Sequence, residues 1–235
     1  MTLSTTALSH PDLRIDIINT CRHINAIGLN QGTSGNISVR AGQRILLTPS
    51  GLPYDDMVPE QIVEMDFDGT FYGSCRPTSE WRFHRDILAS RPDVDTVIHT
   101  HSMFSTTLAC LRRDIPALHY MIAVAGGDSI RCAEYATFGS QELSRVALAA
   151  LADRKACLLA NHGLIVLGST LKKTVALAVE VETLAEQYWR ALQCTAPVIL
   201  DKPEMSKVLG LFETYGTQNA KDSGLIHGGM TAPRG

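Results

Sequence analysis

The segment VDTVIHTHS, Val94 to Ser102, is an apolar run that closes on two histidines one residue apart. Read as a strand, it alternates its side chains between two faces. His99 and His101 then share one face while Ile98 and Thr100 share the other, whereas a helix would splay the two imidazoles apart. The strand reading therefore brings both imidazoles to one place. On either side of this segment, strand-like and helix-like pieces alternate. Leu13 to Leu29 carries apolar residues at helical spacing and reads as a helix. NISVR (36–40), RILLT (44–48) and QIVEMD (61–66) read as short strands separated by Gly, Pro and Asp. PTSEWRFHRDILASRP (77–92) opens with helix-start residues and reads as a second helix. Beyond the histidines follow a helix over Gln141–Ala152, the strands KACLLAN (155–161) and GLIVLG (163–168), and a long helix over Leu171–Leu192. The alternation predicts an α/β sheet layered with helices. The close spacing of the early strands predicts an antiparallel or mixed sheet rather than a purely parallel one.

Composition narrows the class. With 235 residues, 45% hydrophobic and 19% charged, the chain can bury a sizeable core and reads as a globular α/β domain over residues 1–216. After Tyr215 the residues are polar and glycine-rich, so 217–235 read as a flexible tail. A net charge of −3 with no Lys/Arg block gives no electrostatic reason to expect nucleic acid or an anionic membrane as a partner. The six cysteines are scattered, form no C-x-x-C pair and suit reduced thiols, which favours the cytoplasm. The N-terminus lacks the pattern of a signal peptide, and no stretch approaches the roughly 18 apolar residues of a membrane span.

A third histidine joins the pair. His162, in KACLLANHGLIVLG, also ends an apolar strand-like run, immediately before a glycine turn. Each histidine alone reads equally well as a hydrogen-bonded residue at a strand end. Together, three neutral imidazoles would leave a divalent ion its full charge and an open coordination position, the pattern of a catalytic zinc. Three small loops add to this. Thr78, Ser79 and Glu80 begin a helix, and GTSGNIS (32–38) and TPSG (48–51) adjoin short strands. Each loop alone reads as ordinary capping or turn chemistry. As a set they suggest a phosphorylated substrate held beside a metal.

These residues, in order, resemble a known family. GLNQGTSGNISVR, LTPSGLPY, PTSEWRFH, HTHS, IPALHYMIAVAGGDSIRCAEYATFG and NHGLI together look like the class II aldolase/adducin family, most closely its fuculose-1-phosphate aldolase branch, over about residues 10–216. The resemblance implies a three-layer αβα sandwich around a mixed, largely antiparallel sheet, assembled as a homotetramer with active sites between subunits. It implies one Zn2+ per subunit, with other divalent ions possible, held by His99, His101 and His162, and Glu80 as ligand and acid/base. It places the phosphate of a dihydroxyacetone phosphate unit against Thr33, Gly35, Asn36, Ser50, Gly51, Thr78 and Ser79. Tyr120 and Tyr215 match tyrosines that the neighbouring subunit supplies. Thr78 stands where serine is usual, and the tail runs past Tyr215. The implied reaction is reversible retro-aldol cleavage of L-fuculose 1-phosphate or a 5-deoxy- or 5-methylthioribulose 1-phosphate. A ribulose-phosphate 4-epimerase on the same scaffold and a non-catalytic adducin-like module remain as alternatives. His84, one helical turn after Glu80, is a candidate supporting group.

Overall fold

Strand β5 (Thr96–Thr100) lies in the middle of a nine-stranded sheet in the computed structural model, which describes residues 8–212. The expected catalytic Tyr215 and the expected tail at 217–235 lie outside the described residues. On one side of β5 come β1 (Asn36–Ala41), β2 (Arg44–Leu47), β3 (Val63–Asp66) and the two-residue β4 (Phe71–Tyr72). On the other come β9 (Gly163–Gly168), β8 (Ala156–Leu159), β7 (Ser129–Ala133) and the short β6 (Ile115–Pro116). β7 and β8 run parallel; every other pairing is antiparallel, so the sheet is mixed as expected.

Period-two patterning assigns each strand residue to a layer. Ile98, Ile37, Val166 and Leu158 face helices α1 (Pro11–Ala26), α3 (Met103–Cys110), α5 (Leu171–Cys194) and α6 (Lys202–Phe212). Val97, Ile45, Ile165 and Leu159 face α2 (Trp81–Ser90) and α4 (Gln141–Ala150). Both sets are buried, which gives the three-layer sandwich its two apolar seams.

Three local differences from the sequence reading have physical causes. The second helix starts at Trp81 rather than near Pro77, with Glu80 as its N-cap residue, and the Glu80 side chain makes no capping bond there. Helix α3 was not visible from its own residues. Its first N–H groups, of Phe104 and Ser105, donate to the carboxylate of Glu182 in α5 at 2.7 and 2.9 Å, a cap supplied 77 to 78 positions away. β7 gains its ladder from β8, also a distant segment.

β8 and β9 form a tight hairpin that brings Gly163 against β5. A Cβ added at Gly163 would lie 2.5 Å from the Thr100 carbonyl oxygen, 2.9 Å from His101 Cδ2 and 3.2 Å from His99 Cε1. The hairpin can pack here only without a side chain. Gly163→Ala should destabilise the fold by about 1–3 kcal/mol through overpacking. Urea unfolding of the metal-free protein checks this, and wild-type stability would show that the hairpin has room to spare.

Candidate active site

The β1–β5 register sets Asn36 opposite His99, and the β5–β9 register sets Leu164 opposite Thr100. Residues near positions 36, 99 and 162 thus meet at one end of the central strands. His99 is fully buried, and its Nδ1 lies 2.9 Å from the Leu164 carbonyl oxygen. A carbonyl can only accept, so Nδ1 carries the proton and Nε2 presents its lone pair. That lone pair faces His101 Nε2 at 3.0 Å. Glu80 completes the group: Oε2 is 3.2 Å from His99 Nε2 and Oε1 is 3.3 Å from His162 Nε2.

Burial decides the charge state of this cluster. It pushes His99 down to about 3, with His101 adding to the effect against the Leu164 hydrogen bond. It pushes His162 down to about 4, with His99 beside it, against the attraction of Glu80. His101 is also lowered, again chiefly by burial. At neutral pH all three imidazoles are uncharged, and the Glu80 contacts are not ion pairs. Oε1 of Glu80 is buried and makes no hydrogen bond, although His162 Nε2 lies 3.3 Å away.

These features fit a cation. The imidazole donor atoms of His99, His101 and His162 lie within 4.8 Å of one another. A tetrahedral ion with bonds of about 2.0–2.1 Å spaces its ligand atoms by about 3.3 Å, close to the 3.0, 3.2 and 3.3 Å separations here. Three neutral nitrogens and an orphaned buried carboxylate oxygen are poorly satisfied alone and would be well satisfied around a divalent ion.

The Glu80 carboxylate is also held from behind. Asn36 Nδ2 donates to Oε2 at 3.0 Å, His84 Nε2 lies 2.6 Å from Asn36 Oδ1, and Ser38 Oγ lies 2.7 Å from His84 Nδ1. All four residues are buried.

The expected phosphate residues come together. Thr33, Gly35, Asn36, Ser50, Gly51, Thr78 and Ser79 line one cavity of about 350 Å³ with Glu80, His101 and His162. Two of the loops are tied: Ser50 N–H donates to the Arg76 carbonyl and Thr78 N–H to the Thr48 carbonyl. The Tyr54 hydroxyl donates to the Gly35 carbonyl and anchors the third. Gly35 has no room for a Cβ, which would sit 2.8 Å from the His99 carbonyl oxygen. Asn36 differs from the other six, because its amide is already engaged by Glu80 and His84. A larger hollow of about 750 Å³, between α1 and the start of α5, shares no residue with this cavity.

Tyr120 does not line the cavity. It is 51% exposed, stacks on His119 with ring centres 4.7 Å apart, and lies near Phe212. Residues not singled out from the sequence also line it, among them Tyr135, Phe138 and Asn161. Phe138 is 68% exposed at the rim. Asn161 adopts a left-handed conformation, φ 54°, immediately before His162. The asparagine–glycine pair around His162 was a turn signal for such a residue.

With this geometry in place, comparison with known proteins is decisive. Residues 15–189 match the family model described as Class II Aldolase and Adducin N-terminal domain. The chain belongs to the class II aldolase and adducin family. It is 59% identical over 204 residues to a 5-methylthioribulose-1-phosphate/5-deoxyribulose-1-phosphate aldolase of Rhodospirillum rubrum, covering 87% of this chain and 92% of that one. It is 49% identical over 201 residues to the L-fuculose phosphate aldolase of Escherichia coli K12, covering 85% and 94%. A solved L-fuculose 1-phosphate aldolase superposes with a TM-score of 0.85 at 38% identity, over 88% of this chain and 98% of the other. Class II aldolases depend on a metal, and the histidine cluster is a set that could hold one. No helix among the described residues is long and apolar enough to cross a membrane.

The imidazole states give a pH prediction for the metal-free aldolase. His99 and His162 have folded values below the ordinary 6.5, so the unfolded chain takes up their protons first and stability falls as pH drops below about 6.5. Between pH 6.5 and 5, His99 alone should cost of order 2 kcal/mol, at about 1.4 kcal/mol per pH unit. Imidazole NMR resonances should stay in the neutral form down to pH 5 for both residues. Titration of either near 6.5 would contradict the buried neutral cluster.

Proposed function

We infer that this class II aldolase binds Zn2+ and cleaves a ketose 1-phosphate reversibly to dihydroxyacetone phosphate and an aldehyde. One observation carries the reading: a buried, incompletely satisfied cluster of three imidazoles and a carboxylate shares a cavity with three hydroxyl-bearing loops. Residues 1–216 form the catalytic domain in this reading, which works in the cytoplasm as a homotetramer.

His99, His101 and His162 hold the ion, with Glu80 as the fourth group. When bound, a divalent cation supplies Lewis acidity that stabilises the negative charge left on the donor fragment as the C–C bond breaks. The chain's residues do the rest. Ser50, Ser79, Thr78, Thr33 and the backbone at Gly35 and Gly51 anchor the phosphate, and Asn36 steadies the carboxylate beside them. Glu80 carries the proton to and from the donor carbon through Oε1, the oxygen without a hydrogen-bond partner. Tyr120, exposed and away from its own chain's cavity, serves the hydroxyl on the leaving aldehyde from the adjoining subunit, and Tyr215 assists there.

The relatives named for 5-methylthioribulose, 5-deoxyribulose and L-fuculose phosphates define the substrate class. The exposed rings of Tyr135 and Phe138 at the cavity rim suit a small, largely apolar aldehyde end. 5-Methylthioribulose 1-phosphate and 5-deoxyribulose 1-phosphate are therefore the leading substrates.

A panel of ketose 1-phosphates compared by kcat/KM tests the substrate class, since that ratio reports relative transition-state binding. Cleavage should vanish with a chelator and return with Zn2+. Alanine at His99, His101 or His162 should remove the ion and lower cleavage at least about 100-fold. Full activity in two of these variants would remove the metal assignment.

Assembly has its own test. His99→Ala chains keep the tyrosine and Tyr120→Phe chains keep the metal site, so doubly tagged mixed rings should regain activity at interfaces that pair the intact halves. Mixed rings no more active than the better parent would place Tyr120 outside catalysis or within its own subunit's site.

A further inference from the structure

We propose that His84 is a positioning residue: with Ser38 and Asn36 it forms a buried, one-directional hydrogen-bond chain that fixes the Glu80 carboxylate for the metal site. The assignment rests on the function proposed above and adds His84 and Ser38, which no part of that mechanism uses.

The direction of the chain follows from donor and acceptor chemistry. Glu80 as a carboxylate only accepts, so the Asn36 atom facing it at 3.0 Å is the amide nitrogen. The Asn36 carbonyl oxygen must then accept from His84 Nε2 at 2.6 Å, which makes His84 the Nε2–H tautomer. His84 Nδ1 is left as an acceptor and receives the Ser38 hydroxyl at 2.7 Å. Every link has one allowed orientation. His84 is fully buried and burial holds its imidazole neutral, so no other protonation state competes.

The two backbones make this spacing possible. Asn36 and Ser38 are two apart on β1 and share a face, separated by about 6.6 Å. Glu80 and His84 are four apart at the start of α2, separated by about 6 Å along the axis. Two rungs of equal spacing can therefore bridge strand and helix. The register also seats Asn36 beside His99. The chain ends on Oε2, the oxygen facing His99, and leaves Oε1 beside His162 without a hydrogen bond.

A role in packing alone does not account for this arrangement. The layer between α2 and the sheet is built largely from apolar side chains, Phe83, Ile87, Ile45 and Val97 among them, and apolar groups of the same shape could fill this place too at little or no cost in stability. A polar chain that terminates on the one carboxylate of the site controls that carboxylate's rotamer instead.

The test uses the full-length protein, with Zn2+ affinity from competition with a chromophoric chelator and the visible spectrum of the Co2+ form. His84→Phe keeps a ring but donates nothing to Asn36. It should weaken metal affinity about 10- to 100-fold, change the Co2+ bands, and lower kcat more than it raises KM. His84→Gln places an amide N–H as many bonds from the backbone as Nε2 and should restore affinity to within several-fold of wild type. Ser38→Ala frees the imidazole to rotate and should show a smaller loss in the same direction. His84→Phe with wild-type affinity and Co2+ spectrum, whatever its melting temperature, would overturn the assignment. If His84→Phe does not fold, Ser38→Ala decides, and an unchanged affinity and spectrum there overturn it equally. A wild-type chain that binds neither Zn2+ nor Co2+ would overturn the metal-dependent reading itself, and this assignment with it.

Discussion

Glu80 is 4% exposed, and a carboxylate taken that far out of water must be compensated by its neighbours. The compensation comes from two directions. Asn36 donates to Oε2 and the first turn of α2 offers its positive end, while the uncharged rings of His99 and His162 stand against the two oxygens without donating to them. Each neighbour comes from a different part of the chain, so the fold has to deliver positions 36, 80, 99 and 162 to one point. The sheet order achieves this. β1 and β9 flank β5 on opposite edges, and α2 crosses the face on which Asn36 and His99 lie.

Without an ion the arrangement is not at its lowest electrostatic cost. One carboxylate oxygen has no hydrogen bond, and two imidazole nitrogens meet at 3.0 Å where only one proton can be shared. A core selected for stability alone would not keep such a cluster, since buried polar groups are normally paired. The rigid surroundings hold it in place. Leu164 fixes the tautomer of His99, the His84 chain fixes Glu80, and the missing side chain at Gly163 lets the hairpin approach both rings. Preorganisation of this kind transfers the cost of assembling the site from ion binding to folding.

The sequence carried what is local or periodic. The alternation in VDTVIHTHS showed β5 and put His99 and His101 on one face. The glycine turn after His162 showed the hairpin, and the main strands and long helices followed from spacing. Long-range contacts hid the rest. Helix α3 depends on a cap from Glu182, and β7 on a partner strand more than twenty residues away. The start of α2 was placed too early because Thr78, Ser79 and Glu80 look like ordinary capping residues, whereas the Glu80 side chain turns to the histidines. Asn36 read as one more polar loop residue, and only the fold shows its amide shared between Glu80 and His84. Tyr135 and Phe138 reach the cavity through the path of the loop after β7, which no spacing rule predicts.

The cavity has a further electrostatic property. None of the residues that line it in this chain is a lysine or arginine, although its proposed ligand carries a dianionic phosphate. On this chain's side, hydroxyls, backbone N–H groups and the start of α2 would then hold that phosphate by dipoles. An arginine fork would bind substrate and product phosphate with similar strength, and such uniform binding lowers KM without accelerating bond cleavage. A divalent ion at the histidine cluster would put the strong positive charge where negative charge develops during C–C cleavage. In the proposed reaction the weaker phosphate grip would orient the substrate and still release the dihydroxyacetone phosphate product. With an ion held by the histidines, this one cavity would divide the labour between an uncharged anchor and a charged reaction centre.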